Sequence, residues 1–124
     1  NYFLVDGVVP RTQLAPVLGR VADVSRKYNI PIANVFHAGD GNLHPCLLFD
    51  ERQPGALDKI VEAGTEVLQI CVDAGGTLTG EHGVGLAKKP FLPAAIGPVA
   101  MDITRRLKAG FDPEGILNPG KIFD

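Results

Sequence analysis

Apolar residues recur at helical spacing in three stretches of the chain. Residues 12–28 and 56–74 each carry an apolar stripe with a period of 3.6 residues, which predicts two amphipathic helices. Gly75 follows the second stretch directly, and a glycine there is typical of the left-handed residue that ends a helix. A third helix, which we expect Gly110 to close, is predicted by the spacing of Ile96, Val99, Ile103 and Leu107.

Short runs of β-branched, aromatic and other apolar residues lie between these helices. We predict strands at 2–6, 32–38 and 43–49, with another short strand near 76–79. Strands and helices then follow one another in the order strand, helix, strand, strand, helix, strand, helix. That order predicts the α+β class, with a sheet layer and helices packed on one of its faces.

The length, charge and cysteine content of the chain exclude several classes of protein. Its 124 residues suit one domain, and 12 basic against 14 acidic residues argue against a nucleic-acid module. Two cysteines cannot form a disulfide framework and indicate a reducing, cytoplasmic compartment. No apolar run is long enough for a membrane span. The chain begins at Asn1 with residues typical of a strand, so we expect it to be a piece of a longer protein.

All three histidines lie in two glycine-rich stretches. His37 and His44 bound the first stretch, and His82 lies in the second, residues 75–85, directly after Glu81. The second stretch lacks the lysine of a phosphate-binding loop and reverses the glycine spacing of a dinucleotide-binding turn. It is therefore either a tight structural turn or a loop that presents a carboxylate and an imidazole.

The first stretch is predicted to be a β-hairpin. Asp40-Gly41 is a favoured two-residue turn. That turn would make His37 and His44 direct cross-strand partners, with Cβ atoms about 4.5–5.5 Å apart. Two imidazoles on one face suit a shared metal ion, to which Glu81 could add a carboxylate. Histidine pairs of this kind are also common as purely structural features, so the spacing alone leaves both interpretations open.

Three motifs resemble the C-terminal domain of the FAD-linked 2-hydroxyacid dehydrogenases, a family that includes the flavin subunit of bacterial glycolate oxidase and D-lactate dehydrogenases. They are His-Ala-Gly-Asp-Gly-Asn-Leu-His at 37–44, Thr-Gly-Glu-His-Gly-Val-Gly at 79–85 and Phe-Asp-Pro-Glu-Gly-Ile-Leu-Asn-Pro-Gly-Lys at 111–121. The resemblance covers essentially all of residues 1–124. It implies a ferredoxin-like antiparallel sheet with helices on one face, which forms a substrate- and metal-binding domain beside a separate FAD-binding domain that this chain lacks.

The resemblance also implies roles for individual residues. His37, His44 and Glu81 match the family residues that bind a divalent metal, commonly zinc or manganese. His82 matches the proposed general base, and Asn118 is expected near the flavin ring.

The activity implied by the resemblance is the oxidation of a small 2-hydroxy acid, of the glycolate or D-lactate type, to the 2-oxo acid, with hydride passing to FAD. The implied partners are the FAD-binding domain in cis and an iron–sulfur subunit, through which a cytoplasmic protein would reach the inner face of the membrane. We expect the chain alone to be inactive and to self-associate through apolar surface that the FAD-binding domain would cover. The alternative function is a non-catalytic, metal-stabilised interaction domain that docks other subunits.

Three further residues each have a functional and a structural interpretation. Asn42 is a candidate for substrate contact, although its place in a turn explains it as well. Arg11 is a candidate for the substrate carboxylate, although a solvated arginine at a helix start explains it more simply. Cys46 stands where some relatives have asparagine, and strand alternation places it on the same face as His44. It could be a thiolate ligand, a residue in the wall of the site, or a residue that only packs against its neighbours, which is the interpretation we favour.

Overall fold

Four antiparallel strands form the sheet: β1 (Tyr2–Leu4), β2 (Gly7–Val8), β3 (Ile32–His37) and β4 (Asn42–Leu48). The computed structural model describes residues 1–123. β4 is the central strand, with β3 along one edge and β1 and β2 following each other along the opposite edge. The antiparallel sheet confirms the predicted α+β class.

β1 and β2 belong to one extended segment that is interrupted at a proline of the central strand. The register of β1 continues into β2 without a shift. Between them, Val5 N donates to Pro45 O at 3.0 Å, but Pro45 has no N–H to return the bond. The predicted strand 2–6 is therefore wrong in its bounds and is seen as two short strands. The unbroken register still sets Asp6 opposite His44.

Two helices cover one face of the sheet in the first unit of the chain, Asn1–His82: α1 (Leu14–Tyr28) and α2 (Ala56–Asp73). Both confirm the predicted helices, and Gly75 ends α2 in the left-handed conformation with a φ of 79°. Burial raises the pKa of the Cys71 thiol to about 11, so this thiol stays protonated near neutral pH. The other almost fully buried side chains between the helices and the sheet include Val5, Val17, Val21, Leu43, Leu47, Ile60 and Val67.

The second unit begins at Gly83 and contains one long helix, α3 (Leu92–Phe111). The helix kinks at Gly97, which has a φ of 75° and is followed by a proline that lacks an N–H for the helical hydrogen bond. The prediction that Gly110 closes α3 is wrong, because helical hydrogen bonding continues to the N–H of Asp112. The apolar positions that predicted this helix are exposed: Ile96, Val99, Ile103 and Leu107.

The predicted strand near 76–79 is reduced to a single bridge between Val8 and Thr77. Thr77 N donates to Val8 O at 2.9 Å. A Cβ placed on Gly76 would stand 1.8 Å from that same Val8 O, so the backbone can approach this closely only at a glycine. The bridge and the adjoining glycine set the path by which the chain enters the second glycine-rich stretch.

We expect Gly76→Ala to lower the free energy of unfolding by about 3 kcal/mol, because the added methyl group forces backbone apart in a packed region. The matched control is Gly19→Ala in α1, where a Cβ has nothing within 4 Å. That substitution should instead stabilise the chain by roughly 0.5–1 kcal/mol. Urea unfolding followed by circular dichroism measures both, and equal stabilities for the two variants would contradict the steric explanation.

Candidate metal centre

The hairpin between β3 and β4 brings two histidines together, but in a different register from the predicted one. His37 pairs with Asn42 and His44 pairs with Val35, so the two histidines are diagonal neighbours rather than direct partners. The prediction of direct pairing is wrong because the loop consists of residues 38–41, whereas direct pairing requires a loop centred on Asp40-Gly41, of either two or four residues. A shift of two residues keeps each side chain on its original face. The two imidazoles therefore still meet, with ring centroids 5.3 Å apart.

Backbone hydrogen bonds hold this four-residue loop from two sides. Within the loop, Asp40 N and Gly41 N both donate to His37 O at 3.0 Å. Val9 N donates to Gly41 O at 2.9 Å, and Gly41 has a φ of 75°. A Cβ on Gly41 would lie 2.1 Å from Val9 O, which excludes any other residue from this position without movement of the backbone. The hairpin loop is thus shaped by a neighbouring segment of the chain as well as by its own turn residues.

The carboxylate of Glu81 completes a cluster with these two rings. Its Oε1 atom lies 3.0 Å from His44 Nε2 and 3.9 Å from His37 Nε2. One possible ligand atom from each of the three residues lies within 4.8 Å of the others. Ligand atoms that sit about 2.0–2.2 Å from a divalent ion are separated from one another by roughly 3–4 Å. The three side chains named from the sequence therefore converge at spacings that fit one cation.

His82 lies beside this cluster. Its ring stacks on His44, with centroids 5.1 Å apart and an interplanar angle of 14°, and its Nε2 lies 3.6 Å from Glu81 Oε1. His82 also forms a second group of possible ligand atoms, together with His44 and Asp6. The geometry thus allows His82 to be either a free imidazole next to the ion or a ligand in an alternative set.

Asp6 is the residue of this site that sequence reasoning missed. Its Oδ2 atom accepts hydrogen bonds from Thr79 Oγ1 at 2.7 Å, Gly80 N at 3.0 Å and His82 N at 3.1 Å. A weaker contact comes from Glu81 N at 3.4 Å. The sequence did contain a sign of this role, which is the carboxylate inside the apolar run Val5-Asp6-Gly7-Val8-Val9. A charged residue in such a run is rarely buried unless other groups pair with it.

The buried side chain of Asn42 packs against the same loop, at Gly80. Its side chain is 6% exposed, and a Cβ on Gly80 would stand 2.6 Å from its Nδ2 atom. Glycine at position 80 therefore lets the loop lie directly against Asn42. The structure places this side chain beneath the loop, and its contact with substrate stays a prediction.

The cluster opens onto a shallow cavity on the sheet face that the helices leave uncovered. The cavity has a volume of about 350 Å³, and the His37 and Glu81 side chains that line it are 56% and 54% exposed. Cys46 lines the same cavity and donates its thiol to His44 O at 3.5 Å, so it is a wall residue in this structure. The remaining lining residues are Tyr2, Leu4, Val35, His44 and His82. A small ligand thus has open access to the cluster.

Arg11 and Asn118 are the two remaining predicted site residues. Arg11 is exposed in a 3-10 turn, Arg11–Gln13, that precedes α1. Asn118 belongs to the second unit, has a φ of 50°, and lines a separate cavity of about 390 Å³ with Lys108 and Lys121 among its walls. Their roles in binding substrate and flavin stay predictions.

Comparison with known proteins shows similarity along nearly the whole chain. Residues 1–122 match the family of FAD linked oxidases, C-terminal domain. The chain is 44% identical over 121 residues to glycolate oxidase subunit GlcD of Escherichia coli and 42% identical over 120 residues to that of Bacillus subtilis. It is 36% identical over 123 residues to the mitochondrial D-lactate dehydrogenase [cytochrome] of Kluyveromyces lactis. These alignments cover 97–99% of the chain but only 21–26% of the relatives, so the chain spans about a quarter of their length.

Proposed function

The chain belongs to the family of FAD-linked oxidases, whose C-terminal domain it matches, and from this we propose that it is the substrate- and metal-binding part of a flavin-dependent oxidoreductase. The proposed reaction is the oxidation of a small 2-hydroxy acid to the 2-oxo acid. Glycolate and D-lactate are the substrate types suggested by the names of the similar proteins.

The observation that carries this proposal is the convergence of His37, His44 and Glu81 around one point at the mouth of an open cavity. Two imidazoles and one carboxylate are a donor set that accepts zinc or manganese. Of the three protein ligands, His44 is buried, but His37 and Glu81 are 56% and 54% exposed. They leave room for a substrate, as catalytic sites do and closed structural sites do not.

The chemistry divides between the bound groups and the residues of the chain. His37, His44 and Glu81 would hold a divalent ion, which would supply Lewis-acid chemistry for the hydroxyl and carboxylate of the substrate, and FAD would supply the acceptor for the hydride of the α-carbon. We assign the proton of the hydroxyl to His82. Its imidazole lies beside the cluster and is 44% exposed, so a substrate bound at the cluster can reach it. The Asp6 carboxylate holds the backbone of His82, which keeps this base at a constant position.

Further parts of the proposal concern residues outside the cluster. We assign Asn118 to the neighbourhood of the flavin ring, and Asn42 and Arg11 to contacts with the substrate. The basis for these three roles is their match to the family motifs or their position in the sequence, and each is open to direct substitution.

The proposed partners are an FAD-binding domain in cis and an iron–sulfur subunit. The uncovered sheet face supports a covering domain, since Tyr2 and Val35 on that face are 65% and 59% exposed. No helix in the described part of the chain has the length and apolar character that crossing a bilayer requires. We propose a cytoplasmic location, with contact to the inner face of the membrane through the partner subunits.

We expect the purified 124-residue chain to bind about one divalent ion and to keep its fold when a chelator removes it. A catalytic ion sits in a preformed site, whereas a structural ion contributes its binding energy to folding. Metal analysis gives the stoichiometry, and circular dichroism before and after chelation reports the fold. Unfolding on chelation would favour the alternative, a metal-stabilised docking domain.

The same preparation should show no dehydrogenase activity toward glycolate or D-lactate, because FAD, the proposed acceptor of the hydride, is expected to be held mainly by the FAD-binding domain. Dye reduction with and without added FAD is the measurement. Saturable turnover by the flavin-free chain would contradict the division of the site between two domains.

A further inference from the structure

We propose that Asp6 is the positioning residue of the metal centre, acting on both halves of the site at once. One carboxylate oxygen fixes the loop that carries Glu81 and His82, and the other orients the imidazole of His44. The inference rests on the proposed function, because it takes the cluster of His37, His44 and Glu81 to be a metal site.

Asp6 Oδ2 holds the loop of the second glycine-rich stretch. Backbone N–H groups of residues 80 and 82 and the hydroxyl of Thr79 all donate to this single oxygen, at distances between 2.7 and 3.1 Å. Asp6 itself lies in the segment between β1 and β2, held by the register of both strands. The second glycine-rich stretch is therefore attached to the sheet at the point where it presents Glu81 and His82.

The second oxygen of the same carboxylate, Asp6 Oδ1, faces the imidazole of His44. This oxygen lies 3.9 Å from His44 Nδ1, and the two side chains are 1% and 9% exposed. Within the described residues, His44 Nδ1 is buried and has no hydrogen-bond partner. His44 Nε2 points the other way, toward Glu81 Oε1 at 3.0 Å. Histidines that bind a metal through one nitrogen commonly direct the other N–H to a carboxylate, which fixes the tautomer and the ring orientation.

Asp6→Asn separates these two effects. An asparagine has one acceptor oxygen, and the several donors around the Oδ2 position will hold that oxygen there. Its NH₂ group then faces His44 Nδ1, to which it can donate but from which it cannot accept. The loop keeps its anchor, while His44 Nδ1 loses the negative charge of the carboxylate oxygen 3.9 Å away, which favours a proton on Nδ1 and so leaves Nε2 free for a metal.

The test is a cobalt(II) titration of the full chain, followed through the visible absorption of the bound ion. We expect Asp6→Asn to weaken cobalt affinity by about 10–100-fold and to keep the far-ultraviolet circular dichroism spectrum. The matched control is Asp112→Asn, since Asp112 is also a buried carboxylate that accepts backbone N–H groups, from Ile116 and Leu117, but belongs to the second unit. This control should bind cobalt with unchanged affinity.

A second measurement needs no variant and so holds even if Asp6→Asn fails to fold. In the zinc-loaded chain labelled with ¹⁵N-histidine, we expect His44 to carry a proton on Nδ1 and to bind through Nε2. Binding through Nδ1 would overturn the inference, and so would unchanged cobalt affinity in a folded Asp6→Asn variant. If the unaltered chain binds no metal, the proposed function fails as well. If His44→Ala abolishes binding and Asp6→Asn leaves it intact, only the role of Asp6 is refuted.

Discussion

His44→Ala should lower the affinity of the chain for zinc by at least about a hundredfold. Loss of a residue that only supports a metal ligand commonly reduces affinity by about 10–100-fold, and loss of a ligand should exceed that range. His44 is the member of the cluster closest to Glu81, at 3.0 Å, and its ring contacts both His37 and His82. Competition against a coloured chelator measures the affinity directly.

A second substitution at this site guards against an effect on folding. His44 is mostly buried, so alanine leaves a void, whereas His37 is 56% exposed and can be truncated without disturbing the core. We expect His37→Ala to weaken zinc binding as well, with no change in the midpoint of urea unfolding of the metal-free chain. A threefold difference in affinity corresponds to about 0.7 kcal/mol of binding free energy. If the zinc affinities of both variants stay within threefold of the unaltered chain, the proposed ligand set is ruled out.

His82→Gln should reduce kcat for 2-hydroxy acid oxidation by about 10²–10⁴-fold in the flavoprotein that joins this chain to an FAD-binding domain. Glutamine is close to histidine in size but cannot take up a proton at neutral pH. Steady-state rates with glycolate and D-lactate as a function of pH measure the effect. The acidic limb of the pH profile that belongs to the base should disappear in the variant.

The metal content of the same variant separates the two possible roles of His82. As a base, His82 can be replaced without loss of the ion. As a ligand, in the alternative group with Asp6 and His44, it cannot. Retention of zinc with a large loss of kcat supports the role of base, whereas loss of zinc from His82→Gln would show that the side chain is a ligand.

Local patterns predicted most of the elements because the forces behind them act over a few residues. The apolar stripes of α1 and α2 follow the helical period, and Gly75 ends α2 because glycine adopts a positive φ at little cost. The prediction for the exposed stripe of α3 was correct as a helix and wrong at its end near Gly110. Periodicity identifies a helix, but it does not reveal the kink at Gly97.

The period of a strand places the two histidines on one face for a loop of residues 38–41 as well as for one of residues 40–41. The set of His37, His44 and Glu81 was implied by the resemblance to the family. Tertiary structure decided everything that depends on segments distant in sequence. Val9 donates to Gly41 and so packs β2 against the hairpin loop, and Asp6, 73 residues before Thr79, anchors the loop that brings Glu81 to the histidines. Such a long-range hydrogen bond leaves no periodic trace in the sequence, since it arises only when the packed sheet places the two segments side by side.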